Sequence, residues 1–233
     1  MSTTPESMPE ATTEPRWKPL DAPQRRVLGV LIEKAKTTPA GYPMTVNAIV
    51  NGCNQKNNRD PLTSYDDFDV EKVLSELVTL GVVKEIDWVG RVAKYKHLAY
   101  EWLGVRPVEL AVLGELLLRG PQALGELRAR ASRMEAIEDL MALKPIVEGL
   151  VERRLMIELT PPGRGQMVTH NLYPADELEA LRSQRGRTFA PAPEEAPSRP
   201  AHGTSDLRAE IVELRAQITA LAERIERLES RDR

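Results

Sequence analysis

Residues Val73–Tyr100, VLSELVTLGVVKEIDWVGRVAKYKHLAY, lie without a gap over Ile146–Tyr173, IVEGLVERRLMIELTPPGRGQMVTHNLY, when the chain is shifted by 73 positions. Seven of the 28 positions are identical: Leu77/Leu150, Val78/Val151, Glu85/Glu158, Gly90/Gly163, Arg91/Arg164, His97/His170 and Tyr100/Tyr173. A second match keeps the same order at an offset of 85, Val27-Leu28-Gly29-x-Leu31 against Val112-Leu113-Gly114-x-Leu116. The first copy therefore carries about 12 extra residues between its matched parts. Two copies are too few for a solenoid, so the repeat predicts a tandem pair of similar domains.

Each copy has the same element order. In the first, Asp21 followed by Gln24 is a capping-type start for a helix with Val27, Val30, Leu31 and Ala35 on one face. After the turn-rich KTTPAGYP, Thr45 caps a second helix with Val46, Ile49, Val50 and Cys53 at i, i+3, i+4, i+7. The polar run NQKNNRDPLTSY leads into a third helix, preceded by Asp66, Asp67 and Asp69, with Val70, Val73, Leu74, Leu77 and Val78 inward and Gly81 at its end. Two β-like runs, VVKEIDW and VAKYKHL, meet near Val89-Gly90-Arg91 in a hairpin. In the second copy Val108–Arg119 and Leu124–Ser132 form two helices, a third ends near Arg154, and MIEL and MVTHNLY flank PPGRGQ. Pro145 is awkward inside that third helix, which predicts a start near Lys144 with Pro145 at the first position.

Three helices followed by a hairpin is the order of a winged-helix domain. The expected fold class is mainly α with small β-hairpins (α+β): a first winged-helix domain over 16–104 and a second over 105–181. Residues 1–15, acidic and poor in apolar groups, predict a disordered N-terminus, and the Pro/Ala-rich 182–205 a semi-extended linker. In 206–231, Leu207, Ile211, Leu214, Ile218, Leu221, Ile225 and Leu228 are spaced 4, 3, 4, 3, 4, 3. Isoleucine at a and leucine at d favour a parallel two-stranded coiled coil, and the pairs Glu210/Arg215 and Arg224/Glu229 are opposite in sign. The tail therefore predicts a homodimer; a seam with another protein is the alternative.

The segment Thr37–Pro61, TTPAGYPMTVNAIVNGCNQKNNRDP, together with LLLRGPQALGELRARASRM at Leu116–Met134, resembles the YceH-like family of uncharacterised bacterial proteins. That resemblance spans roughly residues 20–180 and the tail in character. It implies two winged-helix domains and no particular activity.

The net charge of −3 is spread as −3 over 1–15, +2 over 16–104, 0 over 105–173 and −2 over 174–233. No segment is basic enough to mark a nucleic-acid partner by bulk charge, so any footprint must be a local patch. Ten aromatic residues argue against a large aromatic-lined pocket. The single Cys53 excludes an intrachain disulfide framework, and three scattered histidines give no metal-ligand spacing. No apolar run approaches the roughly 20 residues that span a bilayer, and the N-terminus lacks the basic and apolar regions of a signal peptide. These features predict a cytoplasmic protein without membrane contact. With no Gly-rich phosphate loop, no nucleophile triad and no metal cluster, an enzyme is not expected, nor is a cofactor.

The candidate contacts to nucleic acid or a partner fall in three places. In the first loop, Asn54, Gln55, Lys56, Asn58 and Arg59 offer amides and cations suited to base edges or phosphate, or side chains that close the turn on its own backbone. Arg91 and Arg164 follow glycines at equivalent hairpin tips. Arg128, Arg130 and Arg133 lie along the second helix of the second copy, as a phosphate-binding or simply solvated face. Replacing Lys56 and Arg59 with Ala is expected to leave the melting temperature nearly unchanged, because exposed basic side chains contribute little to folding. Cys53 is expected in the core, where the repeat places Ala131, and the two repeated histidines as packing or surface residues. The acidic Asp69, Glu71 and Glu76 on the third helix of the first copy would repel phosphate. The expected function is a DNA-binding or transcription-regulatory protein; the alternative is a non-enzymatic protein-interaction scaffold of the kind found in tandem winged-helix chromosome-segregation proteins.

Overall fold

Asp21 starts the first helix with a reciprocal cap. Its Oδ1 accepts from the Gln24 amide at 2.8 Å, while Gln24 Oε1 accepts from the Asp21 amide at 3.1 Å. The computed structural model describes residues 17–86 and 92–188. From this cap runs α1 (Ala22–Thr37), followed by α2 (Val46–Cys53) with Thr45 as its cap, and α3 (Asp67–Thr79), where Asp66 and Asp69 cap each other. Gly81, at φ +75°, ends α3 in a conformation that disfavours other residues. β1 (Val83–Ile86) and β2 (Lys94–His97) pair antiparallel with Val83 opposite His97. A short α4 (Ala99–Leu103), not anticipated from the sequence, then leads to the second copy.

The second copy comprises α5 (Pro107–Arg119), β3 (Gln122–Ala123), α6 (Leu124–Ala131), α7 (Leu140–Glu152), β4 (Met156–Glu158) and β5 (Met167–His170). The strand order is β3-β5-β4. The first copy has the counterpart, since Met44 forms an isolated bridge to Tyr95 on β2. Both copies therefore place a residue from just before their second helix beside the last hairpin strand. The last helix, α8 (Ala175–Thr188), carries regular structure into residues expected to belong to the linker. The mixed α+β class stands. The remaining linker, Arg91 and the heptad residues lie outside the described residues.

Periodicity leaves α1 with one apolar face, yet Val27, Leu28, Val30, Leu31 and Ile32 are all fully buried. The reason is α5, equally buried from Leu110 to Leu118, which packs on the side of α1 away from α2 and α3. Glycine permits the approach. A Cβ on Gly29 would lie 3.0 Å from Leu118 Cγ, and one on Gly114 would lie 2.8 Å from Ile32 Cγ2. Gly29 and Gly114 are equivalent under the 85-residue offset, and Ile32 corresponds to Leu117, which lies 3.2 Å from the Gly29 position. The first helices of the two copies thus pack against each other in opposite directions through equivalent surfaces. A glycine inside a helix costs about 1 kcal/mol relative to Ala; here it lets two leucine-rich helices bury their faces on each other.

Two expectations are corrected. Pro145 lies inside α7, which begins at Leu140 with Asp139 Oδ1 accepting from the Ala142 amide at 2.8 Å. The missing N–H deprives the carbonyl of Met141, an exposed residue, while the Asp139 cap and buried Leu143 hold the first turn. Val78 is 38% exposed, because it stands at the edge of the α3 stripe where the inward sector is already filled by Val70, Val73, Leu74 and Leu77.

Candidate functional site

The 54–61 loop closes on its own copy at both ends and touches α5 of the second copy in between, where the Asp60 amide donates to the Leu118 carbonyl at 3.1 Å. Asn54 Oδ1 accepts from the Tyr65 amide at 2.9 Å and its Nδ2 donates to the Tyr65 carbonyl at 2.7 Å, which pins the loop's exit. Asn58, at φ +60°, accepts from Arg119 Nη2 at 2.9 Å. Arg59 turns inward. Its Nη2 and Nη1 donate to Glu33 Oε2 and Oε1 at 2.6 and 3.3 Å, its Nε donates to the Gly52 carbonyl at 2.9 Å, and its side chain is 0% exposed. Gln55 Oε1 adds a bond to Arg59 Nη2 at 3.1 Å. Arg59 is therefore no contact residue: a guanidinium removed from water needs a carboxylate and carbonyls around it, and Glu33 with Gly52 supplies them. Lys56 remains exposed.

The arginines of the second copy also brace the fold. Arg128 Nη1 donates to the carbonyls of Ile137 and Glu138, at 3.3 and 3.1 Å, and ties down the α6–α7 connection. Arg130 Nη1 donates to Gln122 Oε1 at 2.8 Å. Arg133 lies past the end of α6, not on it, with Nη2 at 3.2 Å from Glu115 Oε2 and 3.6 Å from Glu33 Oε1. One guanidinium thus bridges buried carboxylates of α1 and α5. Arg119 Nε stands 3.2 Å from Glu115 Oε1, close but poorly aligned for a hydrogen bond. Burial raises the Glu115 carboxyl above its ordinary range despite Arg133 and Arg119. Sequence reasoning passed over Glu33 and Glu115. The signal was there: each is a lone carboxylate inside the apolar runs VLGVLIEKA and AVLGELLLR.

Four of the proposed contacts are exposed: Gln55 and Arg133, which also bond within the fold, Lys56, and Arg164 on the exposed β4–β5 turn between Gly163 (φ +148°) and Gly165 (φ +78°). The surface also shows apolar residues that sequence reasoning overlooked. Phe68 is 75% exposed at the second position of α3, and Met141 is 70% exposed at the second position of α7. These positions are equivalent under the 73-residue offset, as are their caps Asp66 and Asp139. Asp66, Asp67, Asp69 and Glu71, all exposed, give the Phe68 end a negative field. Beside Leu140, 44% exposed, a groove of about 880 Å³ opens between α6, α7 and the β4–β5 turn, with Leu124, Val147 and Arg164 on its walls.

The repeated histidines are structural. His97 Nδ1 accepts from the Ala99 amide at 3.3 Å, and His170 Nδ1 from the Leu172 amide at 3.1 Å, so each closes the turn after its last strand. Their rings rest on the repeated tyrosines: His97 is 5.6 Å from Tyr100 and His170 is stacked 3.9 Å from Tyr173, between ring centroids. Burial pushes His97 down to about 4 and His170 well below its ordinary range, so both are neutral. Cys53 is fully buried, as expected, and burial raises its thiol to about 12, outweighing Arg26 and Arg59. Among the described residues no three His, Cys, Asp or Glu side chains are placed to hold a metal, and no helix is long and apolar enough to cross a membrane.

Fold and surface together define a two-copy α+β protein, each copy three helices and an antiparallel hairpin, the copies joined through their first helices and a buried ion network. The chain belongs to the family described as "Protein of unknown function, DUF480", which matches residues 20–164. It is 48% identical over 196 residues to a UPF0502 protein of Rhodopirellula baltica, a match covering 82% of this chain and 83% of that one. It is 42% identical over 174 residues to a UPF0502 protein of Citrifermentans bemidjiense, covering 72% and 81%. A UPF0502 protein of Geotalea uraniireducens is 41% identical over 204 residues, covering 88% and 84%.

Proposed function

We propose that the protein is a non-enzymatic cytoplasmic scaffold of two winged-helix domains that binds another protein through the outer ends of α3 and α7, and that its heptad tail makes it a homodimer. The winged-helix reading is supported by the element order and by the third strand-like partner that each hairpin gains. The observation that carries the scaffold reading is the equivalent exposure of Phe68 and Met141. One exposed apolar side chain is ordinary. The same position exposed in both copies, at the end of the helix that winged-helix proteins present to partners, points to contact residues. The carboxylates around Phe68 repel phosphate and favour a partner segment carrying lysine or arginine beside an apolar anchor. Four of the basic residues first assigned to nucleic acid, Arg59, Arg128, Arg130 and Arg133, are engaged within the fold. Duplex DNA is the second reading, favoured by exposed Arg164 on the β4–β5 turn.

Photo-crosslinking in cells tests the proposal, with a benzophenone side chain in place of Phe68 or Met141. The expected result is capture of the same protein from both positions, reduced by Asp67→Lys with Asp69→Lys. A salt-dependent shift of duplex DNA at about 50 mM salt, lost on Arg164→Ala and untouched by Phe68→Ser, would replace the scaffold reading with the DNA reading.

A further inference from the structure

Between α1, the 60–65 segment, the end of α5 and α8 lies a cleft of about 390 Å³, within the size range of small-molecule sites. Three arginines reach it: Arg25, Arg26 and Arg119. Arg25 is satisfied, with Nη2 on Glu177 Oε2 at 2.6 Å, Nη1 on the Leu20 carbonyl at 2.6 Å, and its guanidinium 4.6 Å from the Tyr173 ring centroid. Arg26 is not. It is 3% exposed, donates only to the neutral carbonyls of Cys53 and Pro61, at 3.1 and 2.6 Å, and its buried Nε has no partner. Among the described residues no carboxylate lies within ion-pair distance of Arg26, so its charge is removed from water with no opposite charge against it. Burial, then the like charge of Arg59, pulls its guanidinium below the ordinary range. Arg119, also on the cleft wall, has its buried Nε 3.2 Å from Glu115 Oε1 without an aligned hydrogen bond.

Around the cleft, Arg25 pairs with Glu177 and Arg119 stands beside Glu115, while Asp60 acts on Arg26 only from beyond contact distance, so Arg26 is the one of the three arginines with no carboxylate against it. Leu116, Leu117 and Leu181 give the wall an apolar part, beside the Thr63, Tyr65 and Tyr173 side chains. We infer that this cleft is a binding site for a small organic monoanion, a carboxylate on an apolar body, with the carboxylate held between Arg26 and Arg119. A carboxylate matches the fork of a guanidinium and supplies the missing acceptor, while the leucines cover the apolar part. Because α1 and α5 belong to different copies, the ligand touches both. The inference does not depend on the partner proposed above.

The test is a titration of the full-length, ¹⁵N-labelled protein with benzoate, octanoate or inorganic phosphate, read at the arginine Nε–H resonances. Benzoate or octanoate is expected to shift the Arg26 Nε–H with a Kd on the order of 1 mM or tighter, and phosphate to leave it in place. Asp60→Asn is expected to tighten binding by removing the competing carboxylate. Arg26→Gln, read at the Arg119 Nε–H in place of the lost Arg26 signal, is expected to weaken it about tenfold, the scale of one charge-assisted hydrogen bond. Should that variant not fold, Ala180→Trp serves instead, since Ala180 is an exposed residue at the cleft wall whose enlargement fills the space without entering the core; the shift should then vanish. An Arg26 signal unmoved by either carboxylate overturns the inference, as does a shift that survives Ala180→Trp or one that phosphate produces equally well.

Discussion

Arg59 and Glu33 are 26 positions apart in the chain and hold each other with two hydrogen bonds, 2.6 and 3.3 Å, with side chains 0% and 4% exposed. The pair fastens the 54–61 loop to α1, and Arg133 extends it from Glu33 to Glu115 on α5. Breaking a buried pair by removing one partner leaves an uncompensated charge and typically costs about 3–5 kcal/mol. Arg59→Ala is therefore expected to lower the urea midpoint sharply, whereas Lys56→Ala leaves it nearly unchanged. This reverses the expectation for Arg59 and keeps it for Lys56. Equal midpoints for the two variants would show that the pair contributes nothing.

The α1–α5 contact depends on the absence of a side chain at Gly114. Alanine there brings its Cβ to 2.8 Å from Ile32 Cγ2, on a branched and fully buried residue with nowhere to move. Gly114→Ala is expected to destabilise by about 1–3 kcal/mol, as overpacking does, although alanine is the better helix former. At the solvent-open Gly149 on α7 the same change should stabilise. Thermal unfolding of the two variants side by side checks the contrast.

Acid should weaken the fold through the histidines. Burial lowers His97 to about 4, so between its ordinary 6.5 and that value the unfolded chain binds a proton that the native state refuses. Stability falls as pH drops through this window, by about 2 kcal/mol from His97 between pH 7 and pH 5. His170 acts in the same direction. Glu115, whose carboxyl is raised by burial, acts oppositely and offsets part of the loss. Urea unfolding at the two pH values, with His97→Gln beside the wild type, isolates the His97 share. The variant should lose less on acidification, and parallel losses would contradict the assignment.

The tail is expected to dimerise through Leu207, Ile211, Leu214, Ile218, Leu221, Ile225 and Leu228. Three and a half heptads is short, so association should depend on concentration. Sedimentation equilibrium at tens of micromolar should show a dimer that becomes monomeric when Leu214 and Leu221 are changed to Lys. A wild-type monomer would refute the seam.

Local chemistry was legible in the chain itself. Asp21 with Gln24, Thr45, the acidic start of α3, Gly81 and the hairpins were readable because a cap, a turn or an alternating strand is decided by residues within four or so positions. The repeat also disclosed that two copies exist. It did not disclose their packing, which needs Gly29 and Gly114 opposite the Leu117–Leu118 and Ile32 surfaces of the other copy. Nor could it separate Lys56 from Arg59, three residues apart in one polar run. Burial belongs to the whole fold: Arg59 is drawn inward because Glu33 waits on α1, while Arg133 stays exposed and is held over Glu33 and Glu115 where α1 meets α5. A charged residue reads as surface in sequence, and only its neighbours in space decide whether it meets water, a partner or a buried counter-charge.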